Sequence, residues 1–371
     1  MYENTGVVPF VDLQAAYWRL QTELDDAVAC VMASGRYILG EQVNAFEAEF
    51  GRYMHGRQVV SVASGTDAVM LALRAAGVGP GDEAITVSHT AVATVTAIEL
   101  AGASPRFVDI SPVTLTMDPT KIAPAITGRT RAIMPVHLYG GPADMDSILA
   151  IAHEHGLAVI EDCAQAHGAS YRDRPVGTMG NAAAFSFYPT KNLGAMGDGG
   201  AVVTSSTLIA GRLKLLRQYG WQERYISDEP GYNSRLDELQ ASILRVRLAH
   251  LDEENDARRK LAASYDRALA GLPISCPHVD QDNRHVYHLY VIRVDRRDEL
   301  QAHLRDSGIS TAVHYPVPVH LQAAYARLGY APGSLPVSEA AARTVLSLPI
   351  YPDMPPEAIE RVITEIAGFF R

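Results

Sequence analysis

The sequence predicts an α/β fold in which a parallel sheet is covered by helices on both faces and is followed by a smaller α+β unit. Between residues 58 and 203, short β-branched runs alternate with alanine-rich segments of helical spacing, a pattern typical of a parallel sheet with crossover helices. With 371 residues, the chain exceeds the size at which one hydrophobic core keeps growing, so two domains are expected. A stretch at 234–266 without Gly or Pro predicts a long helix that leaves the sheet domain.

The expected elements follow the chain in order. Amphipathic helices at 20–32 and 42–53 flank a glycine-bracketed segment at 34–40, which is either an ordinary turn or a lip over an active site or subunit boundary. Strands are predicted at 59–62, 84–87, 104–108, 132–136, 158–160, 183–187 and 200–204, with the plainest helices at 67–76, 90–101 and 145–155. After the long helix we expect a strand at 285–294 and helices at 297–307 and 355–370. The predicted domains are 1–245 and 246–371.

Composition excludes several classes of function. A net charge of −10 argues against a nucleic-acid partner and favours a small ligand in a local pocket. The three cysteines, Cys30, Cys163 and Cys276, are far apart and lack metal-binding spacing, so a reducing, cytoplasmic compartment is expected. Residues 1–4 lack a leader pattern, and no apolar stretch is long enough to span a bilayer. No membrane association is therefore expected.

A strand, a tight turn and a helix at 59–68 have the form of an anion site. The first turn of such a helix presents free N–H groups and the positive end of its dipole beyond the sheet edge, and Gly65 permits close backbone approach. A phosphate group fits this position. The alternative is that Ser64 and Thr66 only cap the helix.

An apolar strand at 158–160 is followed directly by Glu161 and Asp162. Because the carboxyl ends of parallel strands open onto the ligand crevice, Asp162 is expected to be partly buried and to need a cationic partner, such as a protonated pyridine nitrogen. A turn or capping role is the alternative. Gln165 can donate a hydrogen bond to a phenolic oxygen, whereas His167 is expected to be structural.

Lys191 follows the strand at 183–187 and precedes a glycine-rich turn at 194–200. An isolated lysine is usually a solvated surface residue. Here a phosphate turn, a strand-end aspartate and this lysine occur in that order on one α/β unit, which favours a site for pyridoxal phosphate (PLP). The lysine amine condenses with the cofactor's aldehyde, and the aspartate keeps the pyridine nitrogen protonated. Ser186 can add a hydroxyl contact to the phosphate.

Several segments together resemble the DegT/DnrJ/EryC1/StrS family of PLP-dependent nucleotide-sugar aminotransferases. The resemblance runs from about Val8 to the C-terminus, and the aspartate and lysine motifs are its most specific parts. The matching segments read SGTDA, EDCAQAHG, FSFYPTKNLG, GYNSR, HYPVPVH and LPIYP. The resemblance implies the aspartate-aminotransferase fold (PLP fold type I), with a mostly parallel seven-stranded sheet and a smaller C-terminal α+β domain.

The resemblance also implies catalytic and substrate-binding roles. Lys191 would bind the cofactor covalently and carry a proton during amino transfer. Asp162 would pair with the pyridine nitrogen, and Gln165 would contact the phenolic oxygen. Tyr315 and His320 match a segment that approaches the sugar nucleotide.

The remaining implied roles concern the phosphate and the assembly. Gly65, Thr66 and Ser186 would hold the phosphate of PLP. Asn233 of the partner subunit would join them, because the resemblance implies a homodimer whose two active sites lie at the subunit interface.

One position departs from the family pattern. Family members commonly place an aromatic residue just after the second strand, where it stacks on the pyridine ring, but this chain has Ala91 there. His89, two residues earlier, is the predicted substitute, because an imidazole can also lie flat on the ring.

The resemblance implies a two-step amino transfer. Glutamate is expected to give its nitrogen to the cofactor, and a keto group on a nucleotide-linked deoxysugar is expected to receive it. Gln165 favours reaction at sugar carbon three of a dTDP-linked keto sugar, because members acting at carbon four more often carry His or Glu there. The alternatives are a keto-inositol aminotransferase of aminoglycoside biosynthesis and a PLP-binding regulator without turnover.

Overall fold

The computed structural model of the chain describes residues 6–371, so the expectation about a leader at 1–4 lies outside the described residues. Within this range the strands are β1 (Gln58–Val62), β2 (Glu83–Val87), β3 (Ser104–Val108), β4 (Thr130–Ile133), β5 (Ala158–Asp162), β6 (Ser170–Tyr171), β7 (Arg174–Pro175), β8 (Ala182–Ser186), β9 (Gly200–Thr204), β10 (Trp221–Glu223), β11 (Ile226–Ser227), β12 (Asn283–Arg284), β13 (Tyr290–Arg293) and β14 (Val345–Leu348). The α-helices are α1 (Leu13–Arg19), α2 (Gln21–Ser34), α3 (Glu41–Tyr53), α4 (Gly65–Ala75), α5 (Val92–Leu100), α6 (Ile122–Ala125), α7 (Met145–His155), α8 (Thr207–Leu216), α9 (Glu238–Leu269), α10 (Arg297–Asp306), α11 (Pro336–Thr344) and α12 (Pro356–Phe369).

A seven-stranded sheet in the order β1-β9-β8-β5-β4-β2-β3 forms the centre of the structure. Neighbouring strands are parallel except that β9 runs antiparallel to both β1 and β8. The carboxyl ends of β1, β2, β5 and β8 therefore lie at the same edge of the sheet. The predicted mostly parallel seven-stranded sheet is confirmed, and each predicted sheet strand overlaps an observed one.

Both faces of the sheet are buried, which explains its nearly continuous apolar strands. Along β8, Ala182 and Ala184 belong to the core beneath α4, whereas Ala183 and Phe185 belong to the core beneath α3. This alternation follows the two-residue period of a strand. The small alanines let α4 approach one face of the sheet closely, while the phenylalanine fills the space beneath α3.

The long helix α9 begins four residues later than predicted, at Glu238 instead of Ser234. Ser234 Oγ donates to Asp67 Oδ2 at 2.6 Å and accepts a hydrogen bond from the Ala63 N–H at 3.1 Å. These bonds hold the segment before α9 against the sheet edge in an extended conformation, which explains the later start. The predicted domain boundary at residue 245 lies within α9 and remains a prediction.

The smaller C-terminal unit contains the antiparallel pair β13 and β14, with α10 and α12 packed in the same hydrophobic core. The strand predicted at 285–294 is shorter than expected. Its first part instead binds the large sheet domain, because the N–H groups of Val286 and Leu289 donate to the carbonyl oxygens of Gly140 and Tyr139. Among the described residues, no helix combines the length and the apolar character needed to cross a bilayer.

Candidate active site

The predicted phosphate residues meet at the carboxyl edge of the sheet. Val62 at the end of β1 and Ser186 at the end of β8 both lie opposite Gly200, the first residue of β9. A Cβ atom on Gly200 would lie 2.2 Å from the Ser64 carbonyl oxygen, and one on Gly65 would lie 2.4 Å from Ser186 Cβ. Both glycines are therefore required for the turn after β1 to rest on the end of β8.

The N-terminus of α4 combines a helix cap with free donors. Ser64 Oγ accepts a hydrogen bond from the Asp67 N–H at 3.1 Å, so the capping alternative is correct for this side chain. Within the described part of the chain, the N–H groups of Gly65 and Thr66 have no protein acceptor. They remain available for an anion at the positive end of the helix dipole. Capping and phosphate binding are therefore compatible.

Asp162 ends β5 and is 5% exposed. Its Oδ2 accepts a hydrogen bond from Thr94 Oγ1 at 2.8 Å, and its Oδ1 accepts one from the Ala164 N–H at 3.1 Å. A carboxylate has about four acceptor positions, so room remains for a pyridine N–H donor. The hydrogen bond from Thr94 was not predicted from the sequence. A hydroxyl in the first turn of a helix that follows a parallel strand was the available signal.

Glu161, the other acidic residue of β5, lies on the opposite face of the strand and has a structural role. Its carboxylate accepts hydrogen bonds from His137 Nε2 and from the backbone N–H groups of Gly177, Met179 and Gly180. His137 Nδ1 in turn accepts a bond from a backbone N–H. Together with Cys163 these side chains have the composition of a metal site, but the carboxylate and both imidazole nitrogens are occupied by protein partners.

Lys191 lies on a loop whose backbone is held by close contacts. Its N–H donates to the Tyr188 carbonyl oxygen at 2.8 Å, and a Cβ atom on Gly194 would lie 2.5 Å from the Pro189 carbonyl oxygen. Burial lowers the pKa of Lys191 to about 8, while the Asp162 carboxylate acts in the opposite direction. Among the described residues Lys191 and Asp162 form no direct ion pair. The Asp162 charge nevertheless acts on the lysine amine, so the two groups lie near each other at the carboxyl edge of the sheet.

Three histidines lie close enough to Lys191 for its charge to lower their pKa values. The pKa of His167 is lowered to about 3, that of His314 to about 4, and that of His288 falls well below its usual value. Burial is the main cause in each case, and the charge of Lys191 adds to it. These histidines are therefore neutral at physiological pH. His167 packs against Phe185 and Phe187, as expected for a structural residue.

Gln165 and Tyr315 are brought together beside Asp162, although they are 150 residues apart in the chain. Gln165 Nε2 donates to the Tyr315 hydroxyl at 3.0 Å, and Gln165 Oε1 accepts a hydrogen bond from the Tyr139 N–H at 2.6 Å. Burial, together with the Asp162 charge, raises the pKa of Tyr315 to about 12, while the hydrogen bond from Gln165 acts in the opposite direction. Tyr315 is therefore a neutral hydrogen-bond donor at physiological pH.

His89 is not brought into the site, so its predicted stacking role is not supported. Its side chain is completely buried, and its ring meets Tyr139 edge-on, with Nε2 2.7 Å from the Tyr139 hydroxyl. A ring that is enclosed by protein atoms has no free face for a cofactor. The aromatic residue missing at Ala91 is therefore not replaced by this histidine.

His320 is also placed away from the position predicted for it. It is 1% exposed, its Nδ1 lies 2.5 Å from Ser88 Oγ, and its Nε2 lies 3.2 Å from Glu339 Oε1. Both ring nitrogens are therefore occupied, and direct substrate contact is not supported. His320 instead connects the segment that carries Tyr315 to the end of β2.

Asn233 is exposed on the surface of the single chain, between Tyr232 and the buried Ser234. Its backbone pairs with Gln218 in an isolated antiparallel bridge. The side chain is thus free to meet another subunit, and its role at a partner's phosphate site remains a prediction.

The sequence profile of the DegT/DnrJ/EryC1/StrS aminotransferase family matches residues 19–367. The chain belongs to this family. The dTDP-3-amino-3,4,6-trideoxy-alpha-D-glucose transaminase of Streptomyces venezuelae is 52% identical, over 98% of this chain and 96% of that protein.

Solved structures of aminotransferases are also similar to this chain. The X-ray structure of DesV from S. venezuelae has a TM-score of 0.97 and 52% identity, covering 98% of this chain and 99% of that chain. NtdA from Bacillus subtilis with bound PMP has a TM-score of 0.93 and 33% identity, covering 99% of this chain and 86% of that chain. The chain is therefore a PLP-dependent aminotransferase of fold type I.

The side chains of this aminotransferase fit its cofactor. The free N–H groups at the start of α4 and the Ser186 hydroxyl offer donors for a phosphate, and Gly65 leaves space beside them. Asp162 retains acceptor positions for a pyridine N–H, and Lys191 supplies a buried amine. PLP, when bound, supplies the electron sink that stabilises negative charge on the carbon next to the transferred nitrogen.

The rate of covalent PLP attachment to the cofactor-free aminotransferase is expected to rise with pH and to level off above about 8. Only the neutral amine of Lys191 attacks the aldehyde carbon, and burial makes that form abundant at lower pH than the ordinary lysine pKa of 10.5 allows. Stopped-flow absorbance across a pH series measures this rate, with free N-acetyl-lysine as the control. A rate that continues to rise to pH 10.5, as for the control, would contradict the assignment.

Replacing His320 with alanine is expected to lower the free energy of unfolding by about 1–3 kcal/mol, because the buried Ser88 hydroxyl and the Glu339 carboxylate each lose a partner. Urea unfolding measures the change. His278→Ala is the matched control, because that exposed imidazole bonds the exposed Asp280 on the surface. Equal stability of both variants, together with a raised KM for H320A alone, would instead indicate that His320 contacts substrate.

Proposed function

We propose that this aminotransferase transfers an amino group from glutamate to the C-3 keto group of a dTDP-linked deoxysugar. The observation that carries the proposal is the 52% identity, over nearly the whole length, to a transaminase whose name places dTDP and a 3-amino group on its sugar. Gln165 supports the proposal, because family members that act at carbon four more often carry His or Glu at this position. Its neutral amide lies beside Asp162 and is held by Tyr315 and the Tyr139 N–H.

Each site residue has a defined task in this proposal. Lys191 Nζ would take a proton from the α-carbon of the amino donor and deliver it to the cofactor carbon that bears the nitrogen, so that the donor can leave as a keto acid. For the sugar it would move a proton from that cofactor carbon to the sugar carbon that receives the nitrogen. Its pKa of about 8 allows both directions near neutral pH. Asp162 keeps a proton on the pyridine nitrogen, and the neutral histidines around Lys191 add no competing charge.

The acceptor can be identified by absorbance. The protein is first converted to its amine form with glutamate, then separated from the donor and mixed with a dTDP-3-keto sugar, a dTDP-4-keto sugar or a keto-inositol. The 3-keto sugar is expected to restore the starting spectrum fastest. Faster recovery with keto-inositol would overturn the proposed substrate, and no spectral change with glutamate would favour a regulator without turnover.

We also propose that two copies of the chain share their active sites. Apolar side chains near the site residues in sequence are 45–53% exposed in the single chain, and a partner subunit that covered them would remove this apolar surface from water. They are Val92, Tyr188, Met196 and Val317. A second copy covering them would bring its own exposed Asn233 toward this site.

We further propose a cytoplasmic location for the protein. Its three cysteines are free, as is usual in a reducing compartment.

Mixing two inactive variants tests the shared site. Lys191→Ala removes the amine, and Asn233→Asp places a negative charge against the phosphate. A heterodimer then has one site with both changes and one intact site, so an equilibrated mixture is expected to recover about a quarter of wild-type activity. Absence of recovery, with heterodimers demonstrated by differently tagged chains, would show that each site is built from one chain.

A further inference from the structure

Tyr139 has a fixed and unusual backbone position next to the site. It lies on the turn after β4 with φ at +61°, in the left-handed region that non-glycine residues seldom adopt. Its carbonyl oxygen accepts a hydrogen bond from the Leu289 N–H at 3.2 Å. At the following residue, Gly140, a Cβ atom would lie 2.9 Å from the backbone nitrogen of His288. The C-terminal unit therefore holds this turn in place.

The backbone of Tyr139 determines the orientation of the Gln165 amide. An N–H group can only donate, so the Gln165 atom at 2.6 Å from the Tyr139 nitrogen must be the oxygen. The amide nitrogen then faces the Tyr315 hydroxyl. One N–H of Gln165 is used there, and its second N–H and the Tyr315 hydroxyl hydrogen remain available for a ligand oxygen.

The side chain of Tyr139 holds Tyr315 from a second direction. Its hydroxyl donates to the carbonyl oxygen of His314, the residue before Tyr315. A carbonyl only accepts, so the hydroxyl hydrogen is used in this bond and His89 Nε2, at 2.7 Å, must donate to the hydroxyl oxygen. His89 is thus present as the neutral tautomer that carries its hydrogen on Nε2.

The buried imidazole of His89 has one nitrogen without a hydrogen-bond partner in residues 6–371, which lowers the stability of the fold. Its Nδ1 is buried without a partner among the described residues, and an apolar side chain would avoid that loss. What an apolar side chain cannot supply is the Nε2–H donor to Tyr139. This donor fixes the direction of the Tyr139 hydroxyl, whose hydrogen then points to the His314 carbonyl oxygen.

We propose that His89 and Tyr139 are positioning residues that set the Gln165–Tyr315 donor pair against an oxygen of the bound cofactor or acceptor. This inference rests on the proposed function, because it takes the ligand to be PLP with a keto sugar. Hydrogen-bond donors to the phenolic oxygen of PLP withdraw electron density from it. The nitrogen through which Lys191 would hold PLP then becomes less basic. If Gln165 and Tyr315 are held less firmly, this effect weakens, and the pH at which the absorbance of bound PLP changes is expected to rise.

Tyr139→Phe tests the proposal, because it removes the hydroxyl but leaves the N–H bond to Gln165. We expect the absorbance midpoint of bound PLP to rise by about half a pH unit or more and the KM for the keto sugar to rise about tenfold. Tyr171→Phe is the matched control, since that buried hydroxyl donates to Asp144 away from the site. Wild-type midpoint and KM in Tyr139→Phe would overturn the proposal.

A second pair of variants decides the question if Tyr139→Phe does not fold. His89→Gln retains an N–H donor near the Nε2 position, whereas His89→Leu removes it. The Gln variant is expected to keep the wild-type midpoint and the Leu variant to shift it upward; equal midpoints would overturn the proposal. The midpoint is measured without substrate, so a wrong acceptor assignment would leave this result intact.

Discussion

Replacing Lys191 with alanine is expected to lower the transamination rate at least about 10⁴-fold, because covalent attachment of the cofactor and proton transfer are both lost. No other lysine is suited to replace it. The chain has four lysines, and the other three, Lys121, Lys214 and Lys260, are exposed. Of the four, only Lys191 is partly buried, and its pKa is lowered toward neutrality.

Lys214→Ala is the matched control for this prediction, and it is expected to retain wild-type activity. Borohydride reduction of the PLP-loaded protein provides an independent measurement, because it converts the lysine–cofactor bond into a stable amine. Mass spectrometry of a digest is expected to place the added mass on the peptide that contains Lys191. Activity near the wild-type rate in K191A, or label on another lysine, would contradict the assignment.

Replacing Asp162 with asparagine is expected to lower kcat at least about 100-fold, although the two side chains have nearly the same shape. The neutral amide cannot hold a proton on the pyridine nitrogen, so the ring accepts electrons less well. The variant retains an oxygen to accept the Ala164 N–H or the Thr94 hydroxyl. The loss therefore reports charge rather than local unfolding.

Two further variants separate the charge from its surroundings. Thr94→Val removes one hydrogen bond to Asp162 and is expected to give a smaller loss, of about tenfold. Asp144→Asn, at the N-terminus of α7, removes a half-buried carboxylate charge outside the site and is expected to leave kcat unchanged. The assignment of Asp162 would fail if D162N turned over at the wild-type rate with PLP bound.

The main elements were predictable because their periodicity is strong and local. The sheet strands are apolar on both faces, and the helices between them carry alanine and leucine at helical spacing. Elements that were not predicted, such as α11 and β14, have a weaker sequence pattern. α11 and β14 follow one another directly at Thr344 and Val345, and a short apolar run of this kind is compatible with helix or strand until it finds a pairing partner.

The contents of the site were predictable to a similar extent. Strand ends of a parallel sheet share one edge, so Gly65, Asp162 and Ser186 had to lie near each other once the strand directions were correct. The predicted contacts of His89 with the cofactor and of His320 with the substrate are not supported. His89 and His320 lie next to the site in sequence, yet packing directs both rings into the protein interior.

By itself the sequence determined which chemical groups stand at the strand ends, because a strand's position in a parallel sheet follows from local pattern. Only the tertiary structure decided where each side chain points. Glu161 and Asp162 are adjacent acids, and the two-residue period of β5 sends one into a ring of backbone donors and the other toward Lys191. Likewise, the contact of Gln165 with Tyr315 depends on how the C-terminal unit packs against the sheet, and such long-range packing has no local sequence signal.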